Sequence, residues 1–392
     1  MNQLKEIVLD EIVIDVETTI FQKGDPFSEQ NSLSYIGILR DDVSNLYDIE
    51  YSNSPYGSNL LAVDKYCTKS LLIGFNIKFD LHWLKRYGID FSSCKVWDCQ
   101  LVHFILTNQQ FPYPSLNSVA AYYGIESKLD VVYEEYWSKG IDTPDIPSDI
   151  LEEYLMQDLR VTKLIYERQK DSLAKESKAL QNLIAVHNMD LMVLEEMESN
   201  GIIFDESKCL ELAVELEEEI KTIDVRLASF VSIDGFNFNS GDHLSSLLYG
   251  GTLNFPRKEV IGVYKTGERK GQEKLGWVDH LHTFPRLAEP IKGSELKKEG
   301  FYATDEATLK RLKGSKKLID MLLTRSELEK RRGTYYAGLP KLREEHGWKT
   351  NTLHGQLNQC VARTGRLSSS RPNMQNFDGQ IKNLFYSRYN VV

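Results

Sequence analysis

No stretch of this chain is apolar for the roughly 18 to 20 residues that crossing a bilayer requires, which excludes an integral helical membrane protein. The opening, MNQLKEIVLDEIV, puts acids where a secretory leader carries positive and apolar blocks, and so argues against export. Cysteine is scarce and scattered, at Cys67, Cys94, Cys99, Cys209 and Cys360. Cys94 and Cys99 lie close, but no second pair completes a zinc site, so plain thiols in a reducing cytoplasm are expected. Internal repeats and low-complexity tails are also missing, which excludes a solenoid.

What is present is an ordinary globular composition, 41% apolar and 27% charged over 392 residues, long enough for two or three cores. The net charge of −10 hides a division. Residues 1–250 hold 20 Lys and Arg against 42 Asp and Glu, whereas 251–392 hold 27 against 15. Clustered carboxylates hold metals and basic stripes follow phosphate backbones, so the two halves suggest two jobs. Uneven charge can also serve solubility alone.

Hydrophobic periodicity predicts an α/β domain with a mixed central sheet at the front. Glu11–Asp15, Leu33–Leu39 and Leu71–Phe75 read as buried strands, with helices at about 79–87, 115–124 and 149–170. From about 178 to 230 long helices take over. The first carries an apolar stripe of Leu183, Val186, Leu191, Leu194 and Met197 and stops at Asn200-Gly201. The second shows acids at Glu215–Glu219, a solvated face. Residues 250–300, rich in Gly, Pro and Lys, predict a hairpin-bearing insertion with exposed basic loops. Thr304-Asp305-Glu306 looks like a helix cap, Ser240 like another, and a longer helix is expected from about 315 to 338.

Three segments concentrate acids. In Ile14-Asp15-Val16-Glu17-Thr18 the carboxylates of Asp15 and Glu17 share one face of a strand, a crowding that a cation or proton would relieve. Gly74-Phe75-Asn76-Ile77-Lys78-Phe79-Asp80 ends another strand in Asn76 and then Asp80. Tyr154 and Asp158 lie one turn apart on a helix, which Asp149 with Glu152 is expected to open as a capping box. Singly, each has a bland reading as surface acid or turn.

Together, Asp15, Glu17, Asn76, Asp80, Tyr154 and Asp158 resemble the three exonuclease motifs of the DEDD superfamily, tyrosine subclass. The resemblance implies a ribonuclease H-like exonuclease domain over 1–172 that removes nucleotides from a DNA 3′ end. It implies two divalent ions, Mg²⁺ or Mn²⁺, about 3.5–4 Å apart, held by the hard oxygens of Asp15, Glu17, Asp80 and Asp158. Tyr154 would orient the attacking water, Asn76 would place the 3′ end, and Asp98 would serve the structure.

The basic half resembles the thumb and early palm of family A DNA polymerases of phage type. HNMDLMVLEEMESNGIIFD, FNFNSGDHLSSLLYGG and TRSELEKRRGTYYAGLP match connecting and thumb helices, placing a mainly helical thumb over 173–345 with the insertion at 250–300. Lys330, Arg331, Arg332, Thr334 and Tyr335 would meet phosphates, although Lys330–Arg332 taken without their neighbours would read equally well as a solvated helix face. The most specific match is Thr364-Gly365-Arg366-Leu367-Ser368-Ser369 with Pro372-Asn373-Met374-Gln375-Asn376, in a partial palm over 346–392. Arg366 would lie in the minor groove at the primer end, with Thr364, His354, Asn358, Gln359, Asn373 and Gln375 along the primer-template. The bland alternative makes these turn and capping residues.

The family's first polymerase carboxylate motif is not reached by Val392. The expectation is therefore an amino-terminal polymerase portion that edits DNA during replication, binds single-stranded 3′ ends and primer-template duplex, and needs a second polypeptide for nucleotide transfer. A cytoplasmic location follows, that of a bacterial host if the gene is a phage's. The alternatives are a non-catalytic DNA-binding module and a non-functional truncation whose apolar strand at Leu384–Val392 lies uncovered.

Overall fold

The computed structural model describes residues 9–49, 56–126, 131–231 and 233–387. Its contacts divide the chain into two compact units, Met1–Glu206 with Pro340–Val392, and Ser207–Leu339. This grouping differs from the division at 172 and 345 read from the sequence. The helix after residue 172 and the closing segment both pack with the front, so the three parts remain a reading of sequence alone.

The first unit is built on a five-stranded mixed sheet of β1 (Asp10–Thr18), β2 (Leu33–Arg40), β3 (Val43–Asp48), β4 (Ser70–Gly74) and β5 (Lys95–Asp98), in the order β3-β2-β1-β4-β5. β1 pairs antiparallel with β2 and parallel with β4, which makes it the central strand. Its apolar run alternates between two cores: Ile12, Ile14 and Val16 face one, Val13 the other. Around the sheet lie α1 (Tyr56–Asp64), α2 (Lys78–Arg86), α3 (Cys99–Leu106), α4 (Leu116–Tyr122), α5 (Val131–Glu135), α6 (Ser148–Leu173) and α7 (Lys178–Asn200). The α/β class with a mixed sheet is as expected, and the strand and helix positions agree within a few residues.

Two expectations fail here. α6 already begins at Ser148 after Pro147, so Asp149 sits inside the first turn and caps nothing. Glu152 accepts a hydrogen bond from the Tyr35 hydroxyl at 3.1 Å instead of closing a capping box. The proline, which needs no N–H partner, starts the helix in place of the polar cap. α7 is also turned differently from its expected stripe. It buries Ile184, Asn188, Leu191, Leu194, Glu195 and Glu198, while Leu183, Val186 and Met197 are exposed. Hydrogen bonding to α2 and β5, invisible in an apolar count, selects that face. The stop is as expected: Gly201, at φ 60°, ends the helix with its N–H on Met197 and Glu198 carbonyls.

After β6 (Ile202–Phe204), the second unit comprises α8 (Glu206–Leu227), α9 (Gly241–Tyr249), β7 (Gly251–Asn254), β8 (Arg257–Val263), β9 (Glu273–Val278), β10 (Leu281–Phe284), α10 (Glu306–Arg311) and α11 (Lys316–Arg331). Ser240 and Asp305 cap α9 and α10 as expected. Its core gathers Ile223, Leu227, Leu248, Tyr249, Leu309, Leu318 and Leu322. The insertion is two antiparallel pairs, β7 with β10 and β8 with β9. The expected helix to 338 stays α-helical only to Arg331 and widens into a π-helix over Arg332–Tyr336. Arg325 anchors it, donating to both Asp224 oxygens and to Asn239.

The closing part of the first unit holds α12 (Gly338–His346), β11 (Thr352–Leu353), β12 (Gln356–Asn358), β13 (Ser368–Ser370) and β14 (Phe385–Tyr386). β11 and β14 flank β6 in a three-stranded sheet, and β12 pairs with β13. The strand expected at Leu384–Val392 is therefore paired at Phe385–Tyr386, and residues 388–392 lie outside those described. Among the described residues no helix is long and apolar enough to cross a membrane.

Candidate metal and nucleic-acid site

The carboxylates converge at the far end of β1. Asp15 and Glu17 project toward α6 because they share the face of Val13. Opposite Asp15 on β2 stands Gly37, where a Cβ would meet Leu159 Cδ1 at 2.8 Å and Leu155 Cγ at 2.9 Å. That close approach seats α6 against the sheet and brings Asp158 to the strand. One oxygen each from Asp15, Glu17 and Asp158 lies within 4.8 Å of the others, and Glu17 is only 6% exposed. Three hard oxygens at this spacing fit a divalent cation and not a soft metal. Tyr154, one turn before Asp158, packs edge-on to Trp137 with ring centroids 5.6 Å apart.

Asp80 joins from α2. Its Oδ1 accepts the Val16 N–H at 3.1 Å, and the residue is 2% exposed. Burial, with the Asp15 charge next, pushes its carboxyl well above the usual range. Thus the fourth acid adjoins the trio without belonging to its 4.8 Å cluster.

Asp98 explains how Asp80 is placed. Oδ1 accepts the N–H groups of Gln100, Leu101 and Asn76, and Oδ2 that of Ile77, at 2.8 to 3.2 Å. It caps α3 and clips the turn that opens α2. Asn76 sits in that turn at φ 57°, a left-handed conformation that asparagine tolerates. Burial raises the Asp98 carboxyl to about 6, with the four N–H groups opposing the rise.

Sequence reasoning missed a buried ionic cluster beside this turn. Glu198 Oε1 accepts from Lys78 Nζ and from the Leu357 N–H, both at 2.5 Å, while Lys78 also donates to the Leu357 carbonyl at 2.6 Å. His82 contacts Glu198 at 2.8 Å and Glu195 at 3.3 Å. The only sequence signal was the i, i+3 spacing of Glu195 and Glu198, which reads as surface. A second missed contact is Asp25, which meets His346 Nδ1 at 2.5 Å and the Trp348 indole N–H at 2.9 Å. Between them opens a cleft of about 580 Å³ whose lining includes Asn76, Phe79, Tyr113, His354, Asn358 and Arg371.

The expected DNA contacts divide. Thr364 and Arg366 lie on an exposed turn that Gly365 permits at φ 70°. Gln359 donates to the His187 carbonyl, Asn373 accepts from Gln375 N–H, and Gln375 donates to the Leu367 carbonyl. Asn358 donates to Ser370 Oγ. These side chains have internal partners, and Asn373 alone among them caps a helix. In the second unit Arg332 pairs with Glu329 and Glu217, and Arg331 with Glu327, which occupies two of the expected phosphate binders. Lys330 lines a smaller cleft, Thr334 is exposed and Tyr335 half-buried.

Comparison with known proteins places this architecture. The chain resembles the POL domain of Pol1 from M. smegmatis, solved in complex with DNA primer-template and dNTP, with a TM-score of 0.67 and 16% identity over 95% of this chain and 54% of that one. By fold it therefore stands with DNA polymerase I polymerase domains. Residues 280–390 match the family model of DNA polymerase family A. DNA polymerase I of Synechocystis sp. is 27% identical over 317 residues, 79% of this chain and 28% of that protein. That of Bacillus subtilis is 25% identical over 297 residues, 75% of this chain and 28% of the relative. Over residues 280–390 the chain is similar to family A DNA polymerases, and it spans about a quarter of the length of these curated relatives. The carboxylate cluster lies ahead of the segment that the family model matches.

Proposed function

We propose that this chain is a metal-dependent 3′→5′ DNA exonuclease, the editing part of a family A polymerase that binds primer-template during replication. The observation that carries the reading is the convergence of Asp15, Glu17 and Asp158 from β1 and α6 to within 4.8 Å. Asp15, Glu17 and Asp158 would hold one divalent ion, and Asp15 with Asp80 a second, Mg²⁺ or Mn²⁺. Such ions supply an activated water and offset the charge that develops as a phosphodiester is cleaved.

The chain's own groups do the positioning. Tyr154, braced by Trp137, orients the water beside Asp158. Asn76, held by Asp98, places the 3′-terminal nucleotide. Arg366 and Thr364 on the exposed turn meet the primer end, and Lys330 and Tyr335 meet duplex phosphates. Nucleotide transfer is no part of this proposal, because the acids that converge here are those assigned to editing.

The test is a 5′-labelled single strand with Mg²⁺. Stepwise loss from the 3′ end, abolished by EDTA and by D15A with E17A, is expected. Salt-sensitive DNA binding without hydrolysis would replace the exonuclease with a non-catalytic gripping module.

A further inference from the structure

The loop after α3, residues 107–114, carries two aromatic side chains that the proposed chemistry does not use. Phe111 and Tyr113 are 53% and 54% exposed, separated by Pro112 and followed by Pro114. The backbone beneath them is pinned rather than loose. Gln109 N–H bonds the Phe104 carbonyl at 2.8 Å, Gln100 Nε2 bonds the Pro114 carbonyl at 2.9 Å, and Tyr113 N–H bonds the Cys360 carbonyl at 3.1 Å. Tyr113 holds φ 46°, and Asn108 and Gln109 hold 53° and 59°. A bulky aromatic with positive φ persists only where its surroundings over-determine it.

The loop's position matters more than its strain. It leans on residues 360–365, where Arg363 donates to the Gln110 carbonyl, and Tyr113 lines the 580 Å³ cleft. One part of that cleft is formed by Asn76 and Phe79, from the turn that holds Asp80. Another is formed by Asn358 and Arg371, next to the exposed turn of Arg366. Lys23 and Arg371 add positive charge to its lining.

We infer that Phe111 and Tyr113 are a stacking step for a single DNA strand passing from the Gln356–Arg371 segment to the carboxylates. Every base offers a π-face, so such a step accepts any sequence, while nearby cations hold the phosphates. The loop's three pins hold it in place before a strand arrives. This inference rests on the editing reading for its destination, but the binding it predicts does not require hydrolysis.

The experiment measures anisotropy of a fluorescein-labelled oligo(dT) on the whole chain in EDTA, where nothing is cleaved. Wild type binds, F111A/Y113A weakens binding about ten-fold or more, and the aromatic-preserving F111Y/Y113F keeps it. Binding by F111A/Y113A within two-fold of wild type, or none by wild type, overturns the inference. Loss in F111Y/Y113F as well also overturns it, since the rings would then matter to the loop and not to bases. If binding behaves as stated but Mg²⁺ yields no hydrolysis, the editing chemistry falls and the stacking step stands.

Discussion

Asp80 on α2 takes the backbone N–H of Val16 at 3.1 Å, the residue that separates Asp15 from Glu17 on β1. The carboxylate thereby fastens the helix to the strand while adding a further negative charge to an acidic corner.

That arrangement sets a pH dependence. Burial and the Asp15 charge raise the folded Asp80 carboxyl above its unfolded value. The native state therefore binds more protons, and its stability falls as pH rises from about 4 toward the folded pKa. In EDTA, D80N should melt a few degrees above wild type at pH 7, with the gap closing below about pH 4, as thermal unfolding would show. Mg²⁺ should raise the melting temperature of wild type more than that of D80N.

Asp98→Asn tests the clip. An amide in place of Oδ2 would turn a donor toward the Ile77 N–H and leave it unsatisfied. A loss of about 1–3 kcal/mol is expected, read by urea unfolding. Hydrolysis should fall too, because Asn76 and Asp80 shift with the turn. An unchanged midpoint would mean that the clip is dispensable.

Gly37→Ala tests the seat of α6. The new methyl would collide with Leu155 and Leu159 at under 3 Å. Overpacking of this kind costs about 1–3 kcal/mol. It should also weaken Mg²⁺ binding in calorimetry by moving Asp158 away from Asp15 and Glu17, whereas a stability loss alone would separate packing from site assembly.

Glu198→Gln tests the buried ion cluster. Removing one partner strands Lys78 next to His82, and a cost of about 3–5 kcal/mol is expected in denaturant unfolding. The double variant K78M/E198Q should recover much of that loss. No recovery would show that the Leu357 N–H, rather than the ion pair, governs the cost.

Much of this was legible in the sequence. β1, β2 and β4 are short apolar runs bounded by acids and turns, and their period survives tertiary packing. Asp15, Glu17 and Asp158 were nameable because a two-residue spacing on a strand and a four-residue spacing on a helix each fix a face. The orientation of α7 was not legible, because Asn188, Glu195 and Glu198 are buried by partners on α2, β5 and β12 that lie far away in sequence. Nor were the internal bonds of Gln359 and Gln375, whose acceptors are backbone carbonyls and leave no mark on composition. The start of α6 was misread because Pro147 can open a helix without the polar cap sought at Asp149.

The contacts of α7 have a further consequence in acid. Burial alone would raise the carboxyls of Glu195 and Glu198, but hydrogen bonds and charge from His82, with Lys78 at Glu198 and Lys85 at Glu195, hold both below the ordinary range. Their stabilisation is present above about pH 4.5 and drains away as pH falls through the lowered values. Acidification thus relaxes the crowding at Asp80 while loosening the seam beneath Leu357. Below pH 4 the chain should come apart first along a charged joint, with its greasy interior still closed.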